Sequence, residues 1–241
     1  MARAMARGWG DPVLCSDGGS GRAQALVEEL GGVAASNREV AEQADLVVLC
    51  HKPHQIEEVA TEIRDAAKAV ASVLGGVDVP ALDRLFPATP VFRLMPNTPV
   101  EVRRGVICFA AGPDVDPKLE QELVTLLERL GRVMRMPESL LGAATAVMGV
   151  GPAYHALVAE AQVDAAVRHG LKPRLACELV VETMAGTAAL LAARQYDTLT
   201  VRREVTSPGG STARGLAALE RTGVRHAFQA AMDAVVLGGR Q

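Results

Sequence analysis

The run Leu46-Val47-Val48-Leu49-Cys50, which follows Asp45, contains no polar alternation. A strand of that composition has to be covered on both faces, the condition met by a parallel sheet between two helix layers. The rest of the first half keeps to that demand. Strands are predicted at residues 13–16, 45–50, 69–74, 91–95, 106–109 and 132–136, and helices at 1–7, 22–30, 55–67 and 117–130. Strands alternating with helices imply right-handed crossovers and a doubly wound sheet.

From Glu138 onward strand signals vanish. Residues 152–170, 173–193 and 210–237 read as helices, with Pro152 and Pro173 in first-turn positions. The expected architecture is therefore a doubly wound, Rossmann-like α/β domain over residues 1–137 and an all-α domain over 138–241. A helical domain of roughly 100 residues buries a limited fraction of its surface, so pairing with a second copy is expected. A self-sufficient bundle is the alternative.

Residues 139–159 lack Asp, Glu, Lys and Arg and are long enough to raise the question of a membrane span. Gly149-Val150-Gly151-Pro152 interrupts them, and Thr145, Tyr154 and His155 dilute them. Two soluble helices meeting at a Gly/Pro turn are expected, and the Ala-rich stretch 183–193 is too short to span. A net charge of −3 and 3% aromatics argue against a nucleic-acid reader. Cys15, Cys50, Cys108 and Cys177 lie far apart without a CxxC, which fits a reducing cytosol better than a zinc ribbon or a disulfide scaffold. The N-terminus has no signal-peptide form, and a cytoplasmic location without membrane partners is expected.

A doubly wound dinucleotide domain normally begins with a strand, a glycine-rich turn and a helix whose N-terminus meets the pyrophosphate. Here a helix comes first, ended by Gly8, and no G-x-G-x-x-G precedes it. Strand 13–16 would be the second of such a fold. Without the central first strand, its two neighbours keep unpaired backbone groups, at about 1–3 kcal/mol each if buried. A start site placed too late is the expected explanation, with a strand and a glycine turn encoded upstream. The alternative is an unrelated fold that begins with a helix.

Several segments carry chemistry. Ser207-Pro208-Gly209-Gly210 is a turn whose glycines permit unusual backbone angles, and a helix follows it. Free amides and the helix dipole make an anion site there, and without a Lys in the turn a small carboxylate suits it better than a triphosphate. Ser211 and Thr212 add hydroxyls. A plain capped helix is the other reading. Arg93-Leu94-Met95-Pro96-Asn97-Thr98-Pro99 ends a strand at the edge where open α/β sheets bind ligands. Asn97 offers donor and acceptor there, or is simply a buried Asn in a rigid loop. His51-Lys52-Pro53-His54 follows strand 45–50; Lys52 suits cofactor phosphate or ribose, and the histidines lack a third ligand for a metal. Glu160 and Asp164 share a helix face, either as an acid/base pair or as a solvated surface.

With these residues together, the chain resembles pyrroline-5-carboxylate reductase. The matching blocks are residues 45–53 ending in Lys-Pro, residues 93–99, Gly149-Val150-Gly151-Pro152-Ala153-Tyr154 with Glu160-Ala161 and Asp164-Ala165, and residues 205–220. The last block is the most specific, and the resemblance covers nearly the whole chain. Three departures stand out: the missing strand and glycine motif, Met148 in place of the usual Ser, and Glu204 where some members carry Asn.

The resemblance implies reduction of 1-pyrroline-5-carboxylate to L-proline by a nicotinamide cofactor, the last step of proline biosynthesis. It implies NADPH, with NADH possible, and an intertwined homodimer that can assemble into a decamer. Gly209, Gly210, Ser211 and Thr212 would hold the substrate carboxylate, Thr212 would meet the imine nitrogen, and Glu160 would stand near the site. Ser16, Arg22, Asn37, Lys52, Pro53, Leu94, Met95, Pro96 and Asn97 would serve the cofactor. Asp17 at the ribose would favour NADH, whereas Ser16 and Arg22 would accommodate a 2′-phosphate. Two other functions fit the same pattern: a degenerate paralogue that binds proline-like ligands without turnover, and another Rossmann-type NADP- or deazaflavin-dependent reductase.

Overall fold

The computed structural model describes residues 1–238; residues 239–241, at the end of the expected helical domain, lie outside the described residues. Two compact units divide the chain, Met1–Pro152 and Ala153–Gln241.

The first unit contains α1 (Ala2–Trp9), β1 (Val13–Cys15), α2 (Arg22–Leu30), β2 (Gly32–Ala34), α3 (Asn37–Gln43), β3 (Val47–Leu49), α4 (Ile56–Ile63), β4 (Val70–Ser72) and α5 (Val79–Leu85). It continues with β5 (Val91–Pro96), β6 (Gly105–Ala111), α6 (Pro117–Glu128), β7 (Gly131–Arg135), α7 (Glu138–Ala144) and a π turn over Thr145–Gly149. Its strands form two sheets: β1 pairs with β2, and the other five run in the order β3-β4-β5-β6-β7. β1 and β3 each have one strand neighbour among the described residues, β2 and β4 respectively.

The main sheet is mixed, a correction to the expectation of uniform crossovers. β5 and β6 are antiparallel, with Phe92 opposite Ala111 and Pro96 opposite Ile107. Only a short 3-10 turn, Thr98–Val102, joins them. That connection is too short for a parallel return, which takes a dozen residues or more.

Alternation along β5 sends side chains to opposite faces. Val91 and Met95 join Leu49, Ile63, Val70, Leu82, Phe86 and Leu141 on one face. Phe92 and Leu94 join Met5, Val100, Ile107, Phe109, Leu123 and Leu127 on the other. Each fully buried Phe or Leu contributes about 1.5–3 kcal/mol. Leu141 is fully buried and Glu138 pairs with Arg93, so α7 belongs to the sheet unit. The compact boundary therefore falls at Pro152, later than the Pro137 expected from composition.

The second unit is helical: α8, which starts at Gly151 and ends at Arg168, then α9 (Pro173–Ala193), α10 (Thr198–Glu204), α11 (Ser211–Arg221) and α12 (Val224–Gly238). The single helix expected over 210–237 is two, broken at Gly223, whose φ of 82° is left-handed. The expected Gly/Pro turn is instead the π turn feeding α8. Glu138–Arg168 and Pro173–Ala193 are long and apolar enough to cross a membrane by length and composition alone. Leu157, Leu175, Leu179, Val181, Leu219 and Phe228 are exposed in the single chain.

Helix α1 approaches the 3-10 turn closely at Gly8, where a Cβ would lie 2.2 Å from the Val100 carbonyl oxygen and 2.7 Å from Leu130 Cδ2. Replacing Gly8 with Ala should cost about 1–3 kcal/mol, as overpacking does. A urea unfolding curve checks this, and an unchanged midpoint would contradict the close approach.

Candidate functional site

The first group of residues lies past the C-terminal ends of β1 and β3. Ser16 donates its hydroxyl to Asn37 Oδ1 at 2.5 Å, and Asn37 Nδ2 donates to Glu62 Oε2 at 2.7 Å. Asn37 opens α3, whose start is fixed by a capping box between Ser36 and Glu39. Asp17 turns back on its own loop. It accepts the amides of Gly19 (2.9 Å), Arg22 (2.6 Å) and Ala23 (3.0 Å) and the Ser20 hydroxyl (2.9 Å).

Those bonds, the Ala23 amide foremost, hold the Asp17 carboxyl down at about 2. The Asp17 carboxylate is thus spent on the start of α2, and a ribose would find its acceptor capacity largely taken. Arg22 and Lys52 are exposed, and their polar contacts among the described residues are made by backbone atoms. Pro53 begins a short 3-10 turn beside Lys52. Burial pushes the nearby Cys50 thiol up to about 11.

The second group closes β5. Met95 and Pro96 are half-buried at its end. Leu94 is fully buried with Phe92, Ile107 and Leu127, because alternation turns its side chain into the core. Asn97 is buried as well. Its Oδ1 accepts from the Val106 amide at 2.8 Å and its Nδ2 donates to the Met148 carbonyl at 3.0 Å, so its carboxamide serves the backbone. Arg93 pairs with Glu138 across to α7, a contact with no local mark in the residue pattern. No group of three His, Cys, Asp or Glu suited to a metal occurs among the described residues.

The third group is in the helical unit. Gly209 has a φ of 68°, in the left-handed region. At Gly210 a Cβ would lie 2.4 Å from Ser207 Oγ, so a side chain there would make the Ser207 hydroxyl move aside. Gly210 caps α11 without a side-chain hydrogen bond, and Ser207, Pro208, Gly209, Ser211 and Thr212 are exposed. The first amides of α11 therefore face outward, an arrangement suited to a carboxylate. Arg214 Nη1 reaches back to the Gly209 carbonyl at 2.7 Å and braces the turn. Glu160 and Asp164 are exposed on α8, and Glu204 pairs with Arg194 at 3.1 Å.

Comparison with known proteins decides the family. A pyrroline-5-carboxylate reductase of Mycobacterium tuberculosis is 37% identical, over 88% of this chain and 81% of its own length. The chain belongs to the pyrroline-5-carboxylate reductase family. Residues 138–241 match the family model described as pyrroline-5-carboxylate reductase dimerisation, which identifies the helical region as the family's dimerisation region. Residues 1–76 match the model described as NADP oxidoreductase coenzyme F420-dependent.

A solved reductase of this family from Coxiella burnetii superposes with a TM-score of 0.88 at 30% identity, covering 99% of this chain and 93% of that one. A Plasmodium falciparum pyrroline carboxylate reductase solved with NADP bound superposes at 0.86 with 24% identity, covering 98% and 92%, and shows the common fold.

Arg22 opens α2 and Lys52 lies past β3, both exposed, whereas Ser16, just after β1, already donates to Asn37 and Asp17 is bound to its own loop. The glycine-rich pyrophosphate cradle has no counterpart among the described residues before β1.

Because the folded pKa of Asp17 lies below its ordinary 3.8, its contribution to the loop is complete above about pH 4 and is lost as pH falls toward about 2. Intrinsic-rate-corrected hydrogen exchange at the Arg22 and Ala23 amides should lose protection between about pH 5 and about pH 2. Constant protection would contradict the assignment. The Cys50 thiol should also resist alkylation at about pH 8, as a buried neutral thiol does. Peptide mapping after iodoacetamide treatment reads this, and rapid labelling of Cys50 would count against it.

Proposed function

We propose that this chain reduces 1-pyrroline-5-carboxylate to L-proline with NADPH, acting as a dimer through its helical region. The observation that carries the proposal is the outward-facing, uncapped start of α11 behind the Ser207-Pro208-Gly209-Gly210 turn, in a chain of this family. The substrate is a small ring with one carboxylate. Amides of Gly210, Ser211 and Thr212 suit its two oxygens, aided by the positive end of the helix dipole. Gly209 shapes that approach by its left-handed backbone.

A nicotinamide cofactor, when bound, supplies the hydride that adds to the imine carbon. The nitrogen gains electron density as the carbon–nitrogen double bond becomes single, and it must hold a proton. The Thr212 hydroxyl is the group proposed to hydrogen-bond that nitrogen. Glu160 is proposed as a nearby carboxylate that tunes the local charge. The rest of the catalytic effect is positioning, since no covalent step is needed. Ser16, Asn37, Arg22 and Lys52 are proposed to hold the adenosine end, with Asn37 set by Ser16 and Glu62. Pro53, Met95 and Pro96 are proposed to form the edge toward the nicotinamide. Exposed apolar side chains such as Leu179, Val181 and Phe228 support burial against a second copy, and a cytoplasmic decamer assembled from such dimers completes the proposal.

The alternative reading is a protein that keeps the carboxylate site but binds proline-like ligands without turnover. NADPH fluorescence titration separates the two readings, because only the reductase should enhance or quench it.

Replacing Thr212 with Ala should lower kcat roughly a hundredfold, the usual loss for one donor aimed at developing charge. Steady-state assay with pyrroline-5-carboxylate measures this, and an unchanged kcat would remove Thr212 from the proposed role.

A further inference from the structure

Asn97, at the end of β5, reaches the Met148 carbonyl of the π turn, about fifty residues on in sequence. In a regular α-helix the Met148 carbonyl would accept from the N–H of residue 152. That residue is Pro152, which has no N–H. The chain responds locally with the π turn Thr145–Gly149, in which the Val150 amide donates to the Thr145 carbonyl at 3.3 Å. Asn97 Nδ2 donates to the Met148 oxygen at 3.0 Å, in place of the donor the proline deletes. The other end of the same carboxamide accepts from Val106 at 2.8 Å, tying β6 beside the end of β5. Asn97 is only 7% exposed, so neither bond is exchanged for water at low cost.

We propose that Asn97 is a positioning residue for hydride transfer and that it is matched to Pro152. Its carboxamide holds the carbonyl that Pro152 leaves without a helical donor, and so fixes the π turn relative to the ligand edge of the sheet. The Arg93–Glu138 pair makes a second tie, from the same strand to the start of α7. The segment from α7 to the π turn is thus tied to the β5 strand and its end at two points, Glu138 and Met148. π turns recur at functional sites. The kinetic part of this inference rests on the reductase reading; the structural part does not.

A double-mutant cycle tests it. Asn97→Ala and Pro152→Ala are made singly and together in the full chain. Thermal midpoints, steady-state constants and the deuterium isotope effect with NADPD are then measured. Asn97→Ala should lower Tm by about 2–4 °C or more. It should lower kcat roughly tenfold, with little change in KM, and raise the isotope effect as hydride transfer becomes limiting. With Pro152→Ala present, residue 152 regains an N–H for Met148, and the same substitution should cost less in both readouts.

Asn97→Asp keeps an acceptor for Val106 but loses the donor, so it should show the same coupling to Pro152→Ala and replaces Asn97→Ala if that variant fails to fold. Additive Tm shifts across the cycle overturn the matched pair. Coupled Tm shifts with an unchanged kcat and isotope effect overturn the positioning role. A parent chain without turnover overturns the reductase reading and with it the kinetic role, while the melting cycle still decides the pairing.

Discussion

Strand β5 is buried on both faces, and the chemistry at its end depends on how its side chains alternate. Phe92 and Leu94 face the cluster that holds Met5 and Phe109, and Val91 and Met95 face the cluster that holds Leu141. Arg93 points to the same face as Val91 and Met95, where a lone guanidinium would be costly, and Glu138 of α7 neutralises it. Two residues beyond Met95 the strand gives way to Asn97, whose side chain bonds the backbone on both of its neighbours. The C-terminal end of β5 is therefore tied to α7 and to the π turn.

The sequence made this sheet legible where hydrophobic periodicity was strong. The apolar runs at β3 and β4, the Gly31-Gly32 stop of α2 and the Pro173 start of α9 all declare themselves in the residues. The elements that escaped are short. β2 spans only Gly32–Ala34 and is exposed throughout, so no pattern of burial marks it. α3 did carry a signal, the Ser36-x-x-Glu39 capping box, which is independent of hydrophobic spacing. The antiparallel β5–β6 pair was implicit in the short connection between the two strands.

At the site, the turn before α11 could be read because Gly209 takes a left-handed backbone angle that favours glycine. The internal use of Leu94 and Asn97 was harder to see. Leu94 sits in a motif that ends at the ligand edge, yet strand parity alone sends it inward. Asn97 has its partner about fifty residues away, at Met148. The only hint was chemical: a proline just after Met148 leaves a carbonyl in need of a donor. The Arg93–Glu138 pair carried no local signal, because long-range ion pairs leave no mark on spacing.

The central claim is that this family fold presents a carboxylate-holding helix start for reduction of a cyclic imine. Deuterium transfer tests it most directly. The chain is incubated with 1-pyrroline-5-carboxylate and NADPD labelled at the transferable position, and the product is analysed by mass and NMR. The account predicts L-proline carrying one deuterium, at the ring carbon that was the imine carbon. Oxidation of the cofactor without labelled proline, or no transfer at all, would contradict it.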